Sequence, residues 1–362
     1  MDYLNKNKFI FLIVLVILSS KIFLLFFLPR ELYFYVTGLT KFNYYNTLSF
    51  SIDMQAFRDA NHPGTPIYML GNLFLKLIGN EIKDFNKYFY LHHIFLSFFN
   101  IACVCVFFNY FKKFLKKIEI ASFILIFIST FNFLFSLEII SLMAYQFGIA
   151  LLLLVYFVKS LNKNKIIKLS AICAFAIACK MTFLPFVLSI FIAKTIFFIC
   201  KKNSLKNSLS FLGYFSFFYF LFNFPIIGRT PKIFLDSIFL RGDTSLNVQN
   251  SLMSLEYSIN QLLTENFFIL FIILSSLILF LKILISYIFS FKSADKSLEI
   301  RVFLIFCFLI ILFYIYTFIV AGQSFGADVS INSLEKENFF RNNYPYLIFI
   351  FTTYFLSKNY FK

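Results

Sequence analysis

Charge is what this chain has least of. Only 14% of its 362 residues are Asp, Glu, Lys or Arg, against 60% apolar residues and a mean hydropathy of +0.82. That scarcity excludes a soluble globular protein, and no polar stretch between the apolar segments is long enough to hold a soluble domain. Histidine is rarer still. His62, His92 and His93 are its three copies; they offer no zinc-ligand spacing, and no Asp-x-Asp pair occurs. The six cysteines contain no C-x-x-C, and all lie in or beside apolar runs, so they read as small buried hydrophobes. Ionisable groups are missing from the apolar runs too, apart from His92 and His93, a few lysines and terminal tyrosines. Ion-coupled transporters place Asp, Glu, Arg or His deep in their spans, and that class is disfavoured.

What is present is a long series of apolar runs, with phenylalanine supplying 59 residues. The accompanying richness in Lys, Asn and Ile points to an AT-rich coding sequence, so the phenylalanine excess reflects codon usage before chemistry. The net charge of +16 comes from lysines clustered between apolar runs. There the positive-inside rule accounts for them better than nucleic-acid binding, which needs a compact basic domain.

The chain is expected to be an all-α polytopic membrane protein, one membrane domain over residues 1–362 with about ten transmembrane helices. The first runs from Phe9 to Leu28 with its N-terminus inside; it lacks an A-x-A cleavage site, and Lys21 is close enough to the outer end to snorkel. The others are read at 88–111, 118–137, 139–158, 166–180, 183–200, 208–227, 266–290, 302–321 and 344–357. Lys180 and Pro185 mark a tight turn that splits 166–200 into two helices.

Between the first two spans lies a polar loop, 29–87, that ends in Asn61-His62-Pro63-Gly64-Thr65-Pro66 and an apolar helix from Ile67 to Gly79. That helix is about 21 Å long at 1.5 Å per residue, short of the roughly 30 Å hydrocarbon core. Charge gives the same answer. With Ile67–Gly79 lying on the outer surface, 18 of 33 basic residues face inward, opposed only by Asp2, Glu119, Asp295 and Glu299, while 13 of 17 acids face outward. Making the segment span would reverse nearly all of this. The helix is therefore expected to be interfacial, with both termini cytoplasmic and the polar loops 29–87, 228–265 and 322–343 on the outer side.

Three short motifs, in order, resemble the GT-C membrane glycosyltransferases. The first is the His62–Pro66 turn followed by Leu73-Phe74-Leu75-Lys76-Leu77-Ile78-Gly79. Next comes Cys179-Lys180-Met181-Thr182-Phe183-Leu184-Pro185, and last Arg341-Asn342-Asn343-Tyr344-Pro345. The pattern is most similar to the dolichyl-phosphate-mannose protein mannosyltransferase-like and aminoarabinose-transferase-like families of bacteria. Residues 1–227 would form the shared module and 228–362 a variable set of C-terminal helices. Two departures stand out: Pro63-Gly64-Thr65-Pro66 replaces the family's Pro-Pro-Leu, and Arg30-Glu31 stands where the family has Asp-Glu.

The resemblance implies an inverting transfer of sugar from a polyprenyl-phosphate donor to a lipid, glycan or protein acceptor, on the periplasmic side of a bacterial inner membrane. From the residues themselves no cofactor is expected, and a single divalent ion on outer-loop carboxylates stays open. Glu31, Asp53 and Asp59 are the candidate catalytic bases. His62, Lys180, Arg341, Glu138 and Arg241 are candidates for holding acceptor or phosphate. The alternatives are a non-catalytic flippase or carrier for a lipid-linked sugar and an assembly subunit without activity. The topology has a direct test. In a background lacking the native cysteines, single cysteines at Asn80 and Ser204 will label from opposite sides of the membrane with an impermeant reagent; labelling from one side overturns the interfacial placement of Ile67–Gly79.

Overall fold

The computed structural model describes residues 85–112, 145–162, 165–179, 183–200, 204–227 and 302–310, with separate positions at 8, 11, 15, 66, 67, 69, 70, 73, 77, 278, 281, 298, 299 and 312. Its main elements are α1 (Phe85–Phe111), α2 (Tyr145–Asn162), α3 (Ile166–Cys179), α4 (Leu184–Cys200) and α5 (Ser204–Ile227). No strand occurs among the described residues. The spans expected at 118–137 and 344–357, most of 266–290 and all of the first helix but Phe11 and Leu15 lie outside the described residues.

Backbone contacts divide the chain into two units, one of Met1–Val155 with Phe222–Phe234 and the other of Tyr156–Leu221 with Leu235–Lys362. In the first unit, α1 and the start of α2 meet at Gly148. A Cβ placed there would fall 2.6 Å from Asn100 Oδ1 and 2.8 Å from Cys103 Cβ. The missing side chain is therefore what lets the two helices come this close at Gly148. Phe107 and Phe111, both fully buried, lie one and two turns beyond Cys103 on α1, with ring centroids 4.8 Å apart.

In the second unit, α3 and α4 pack against each other as a hairpin. The buried positions of α3 include Ser170, Cys173, Ala174, Ala176, Ala178 and Cys179, all small. α3 ends one residue before Lys180. α4 begins just before Pro185, whose ring suits the first turn of a helix and cannot continue one. From Pro185 its backbone carbonyl accepts a hydrogen bond from Ser189 Oγ at 2.8 Å, which satisfies a buried hydroxyl within its own helix. α5 joins this pair through two contacts. Ser170 Oγ donates to Phe211 O at 3.2 Å, and the Phe191 and Phe211 rings lie 5.7 Å apart. The end of α2 is held by rings: Phe157 is 4.1 Å from Phe306 and 6.4 Å from Phe303, on the helical stretch 302–310.

At 1.5 Å per residue α3 and α4 measure about 21 and 26 Å. The longer α1 and α5 carry polar residues along their length, Asn86, Lys87 and Asn100 in one and Lys206, Asn207 and Asn223 in the other. Among the described residues no helix is both long and apolar enough to cross a membrane.

The two glycines described in helices predict opposite outcomes. Gly148→Ala drives a methyl into Cys103 Cβ, which is fixed to its backbone, and will lower stability by about 1–3 kcal/mol. Gly213 in α5 has nothing within 4 Å of the position its Cβ would take, so Gly213→Ala will be neutral or stabilising by up to about 1 kcal/mol through helix propensity. Thermal unfolding of both variants in detergent reads the difference. Equal midpoints would show that α1 and α2 do not depend on close approach at Gly148.

Candidate functional site

Glu31, Asp53, Asp59, His62, Glu138, Lys180, Arg241 and Arg341 all lie outside the described residues. The structure describes what borders three of them. After the His62 turn, Pro66 and Ile67 are helical and buried, while Met69, Leu73 and Leu77, four residues apart, are exposed. Residues at that spacing share one side of a helix. Lys180 is flanked by Cys179, the buried last residue of α3, and by Phe183, which is buried and packs on Phe186 with ring centroids 6.2 Å apart. Both ends of the connection that carries Lys180 are thus fixed in the packed interior of one unit. Glu138 precedes the start of α2 at Tyr145.

Two of the buried polar side chains, Asn100 and Lys194, have surroundings that the described residues define. Asn100 is only 2% exposed, and its Oδ1, aimed at the Gly148 backbone, has no hydrogen-bond partner among the described residues. The geometry permits a Cα–H···O contact from Gly148, weaker than an N–H bond but better than bare hydrocarbon. The second centre is Lys194, 1% exposed inside α4. Its Nζ donates to the carbonyl oxygen of Ser160 at 3.0 Å and lies 4.5 and 4.6 Å from the ring centroids of Phe197 and Phe198.

The Ser160 carbonyl belongs to the last turn of α2, where no further N–H follows within the helix, and the Ser160 hydroxyl turns back to Phe157 O at 2.6 Å. Lys194 therefore caps α2 from another helix, placing a cation at the negative end of the helix dipole and over the negative faces of two rings.

Reading the sequence located Lys194 within a span but assigned it no partner. The signal available was an ionisable residue inside an apolar run, which needs a specific partner; that the partner is the end of α2 depends on packing between residues 34 apart. Asn100 carried a similar but weaker signal. Neither centre pairs a nucleophile with a base, and among the described residues no group of His, Cys, Asp and Glu is placed to hold a metal ion. No protein-family model matches the chain, and no curated protein and no solved structure matches it.

Removing the ammonium by Lys194→Met leaves the Ser160 carbonyl without its charged donor. Charge-assisted hydrogen bonds contribute about 1.5–3 kcal/mol, so the variant is expected to unfold earlier in detergent by a corresponding amount. An unchanged or raised midpoint would show that burying the charge costs as much as the cap and rings return.

Proposed function

We propose that the chain is an all-α polytopic membrane glycosyltransferase of the inverting kind, moving a sugar from a polyprenyl-phosphate donor to an acceptor at the outer face of a bacterial inner membrane. The observation that supports the membrane placement most is the polarity of α5. It exposes Leu209, Leu212, Phe217, Phe220 and Leu221 and buries Ser208, Tyr219 and Asn223. A helix in water does the reverse. Apolar residues turned outward and polar residues turned inward suit a surrounding of hydrocarbon. The small buried residues of α3 and the interior Lys194 cap fit the same setting, where polar groups must find partners inside the protein.

The transfer chemistry rests on the order of the three motifs at His62–Gly79, Cys179–Pro185 and Arg341–Pro345, together with the expectation that the first-loop acids and Lys180 share the outer side. A carboxylate takes the proton from the acceptor hydroxyl as its oxygen attacks the anomeric carbon opposite the phosphate. The bond from that carbon to the phosphate oxygen breaks, the configuration inverts, and polyprenyl phosphate leaves. Glu31 and Asp59 are the first choices for the base, with Asp53 as the third; Glu31 is nearest the family position, and Asp59 is three residues before His62.

Lys180 and Arg341 would offset the charge that develops on the departing phosphate, with Arg241 as a further cation and Glu138 as a second acid at the same face. The His62 ring can donate to an acceptor or phosphate oxygen, held by a turn in which Pro63 and Pro66 restrict φ.

The purified protein in lipid is expected to consume a polyprenyl-phosphate sugar and release polyprenyl phosphate. Glu31→Ala, Asp59→Ala and Lys180→Ala should each lower turnover at least about tenfold. Turnover unaffected by all three removes the site assignment. Donor crossing the bilayer uncleaved favours a carrier.

A further inference from the structure

We infer that one end of the unit containing α3 and α4 is a binding site for the headgroup of an anionic phospholipid, whose acyl chain lies along the exposed side of α5; this rests on the membrane placement proposed above. α3 and α5 run in the same direction, because α4 turns back between them through two short connections. Ser170 and Phe211 join them by a hydrogen bond, and Lys165 and Lys206 each stand five residues earlier in their own segments. Five residues correspond to about 7.5 Å of rise in each case, so the two lysines start from the same level.

Lys165 is the residue whose carbonyl accepts the first bond of α3, from Leu169 N–H at 3.2 Å. Lys165, Lys168 and Lys206 are all exposed. The Lys194–Ser160 bond brings the end of α2 to this same end of the unit, and with it Lys159, whose Nζ lies 5.4 Å from the Tyr156 ring centroid. No Asp or Glu occurs from residue 139 to 235, and Glu299 is the sole acid among the described residues. Lys165, Lys168 and Lys206 therefore have no acid in the sequence around them to offset their charge.

The surface beside them selects an amphiphile over a soluble anion. Ile167 is exposed between Lys165 and Lys168. From Lys206, one side of α5 continues through Leu209, Gly213, Phe217 and Phe220, residues three or four apart and all exposed. At Gly213 that side is notched, with open space where a side chain would stand. Lysines above an exposed apolar strip match a phosphate above a hydrocarbon chain, and the notch leaves room for that chain against the helix. A soluble polyanion would engage the lysines and gain nothing from the strip.

The full chain in phosphatidylcholine nanodiscs containing a minor share of phosphatidylglycerol, examined by native mass spectrometry after extraction, is expected to retain phosphatidylglycerol in preference to phosphatidylcholine. Each basic residue near such a headgroup changes affinity by about fivefold, so replacing Lys165, Lys168 and Lys206 together by Gln should cut retention on the order of 100-fold. Arginine at the three positions should restore it. Gly213→Leu, which fills the notch without touching the charge, should reduce retention several-fold.

The site is overturned if the triple Gln variant retains lipid like the wild type, if Lys116→Gln, Lys117→Gln and Lys358→Gln together cost as much, or if free glycerol phosphate competes as well as the lipid. Release of the chain from membranes by alkaline carbonate would instead overturn the membrane placement itself. A chain that stays in the bilayer without lipid selectivity overturns the site alone.

Discussion

A lysine ammonium resting on the carbonyl end of another helix holds one unit of this protein in register. Lys194 reaches Ser160 O at 3.0 Å with two phenylalanine rings beneath it. An uncompensated charge at such depth would cost several kcal/mol, and so would a buried helix end with no donor. Each problem solves the other. Because α2 must end where Lys194 can reach it, the connection from α2 to α3 starts at a fixed level.

Three buried serines follow the same constraint, while Asn100 Oδ1, Thr195 Oγ1 and Ser208 Oγ are buried with no hydrogen-bond partner among the described residues. Ser160, Ser170 and Ser189 spend their hydroxyls on carbonyls at 2.6, 3.2 and 2.8 Å. Of these only the Ser170 bond crosses to another side of the packing by tying two helices together without a titratable group. The outward side of α5 carries leucine and phenylalanine. The arrangement assigns polar groups to specificity between helices and apolar groups to contact with the surroundings.

The helix break around Lys180 and Pro185 was legible in the sequence because a proline has a direct backbone consequence, and the structure has α3 end at Cys179 and α4 begin at Leu184. Helix starts were less legible. The apolar run at 208–227 marks only part of α5, which begins at Ser204, because hydropathy reports where a helix is apolar and not where its backbone starts. Gly148 gave no signal in sequence, since its close approach to Asn100 and Cys103 belongs to a meeting of two helices. The eight candidate site residues were chosen from loop position and motif order. How they stand to one another depends on tertiary placement that spacing along the chain does not carry.

The small side chains buried along α3 also bear on how the chain assembles. Alanine loses no rotamer freedom on burial, and serine and cysteine lose little, so docking α3 on α4 carries a low cost in side-chain entropy compared with burying Met, Leu or Lys. The two helices are also neighbours in sequence, and contacts between near neighbours need little loop closure. Together these make the α3–α4 hairpin the piece of the second unit that can settle before distant segments arrive. The buried flanks of Lys180 would then be set early, and the long-range contacts at Phe303 and Phe306 would dock onto a frame already in place.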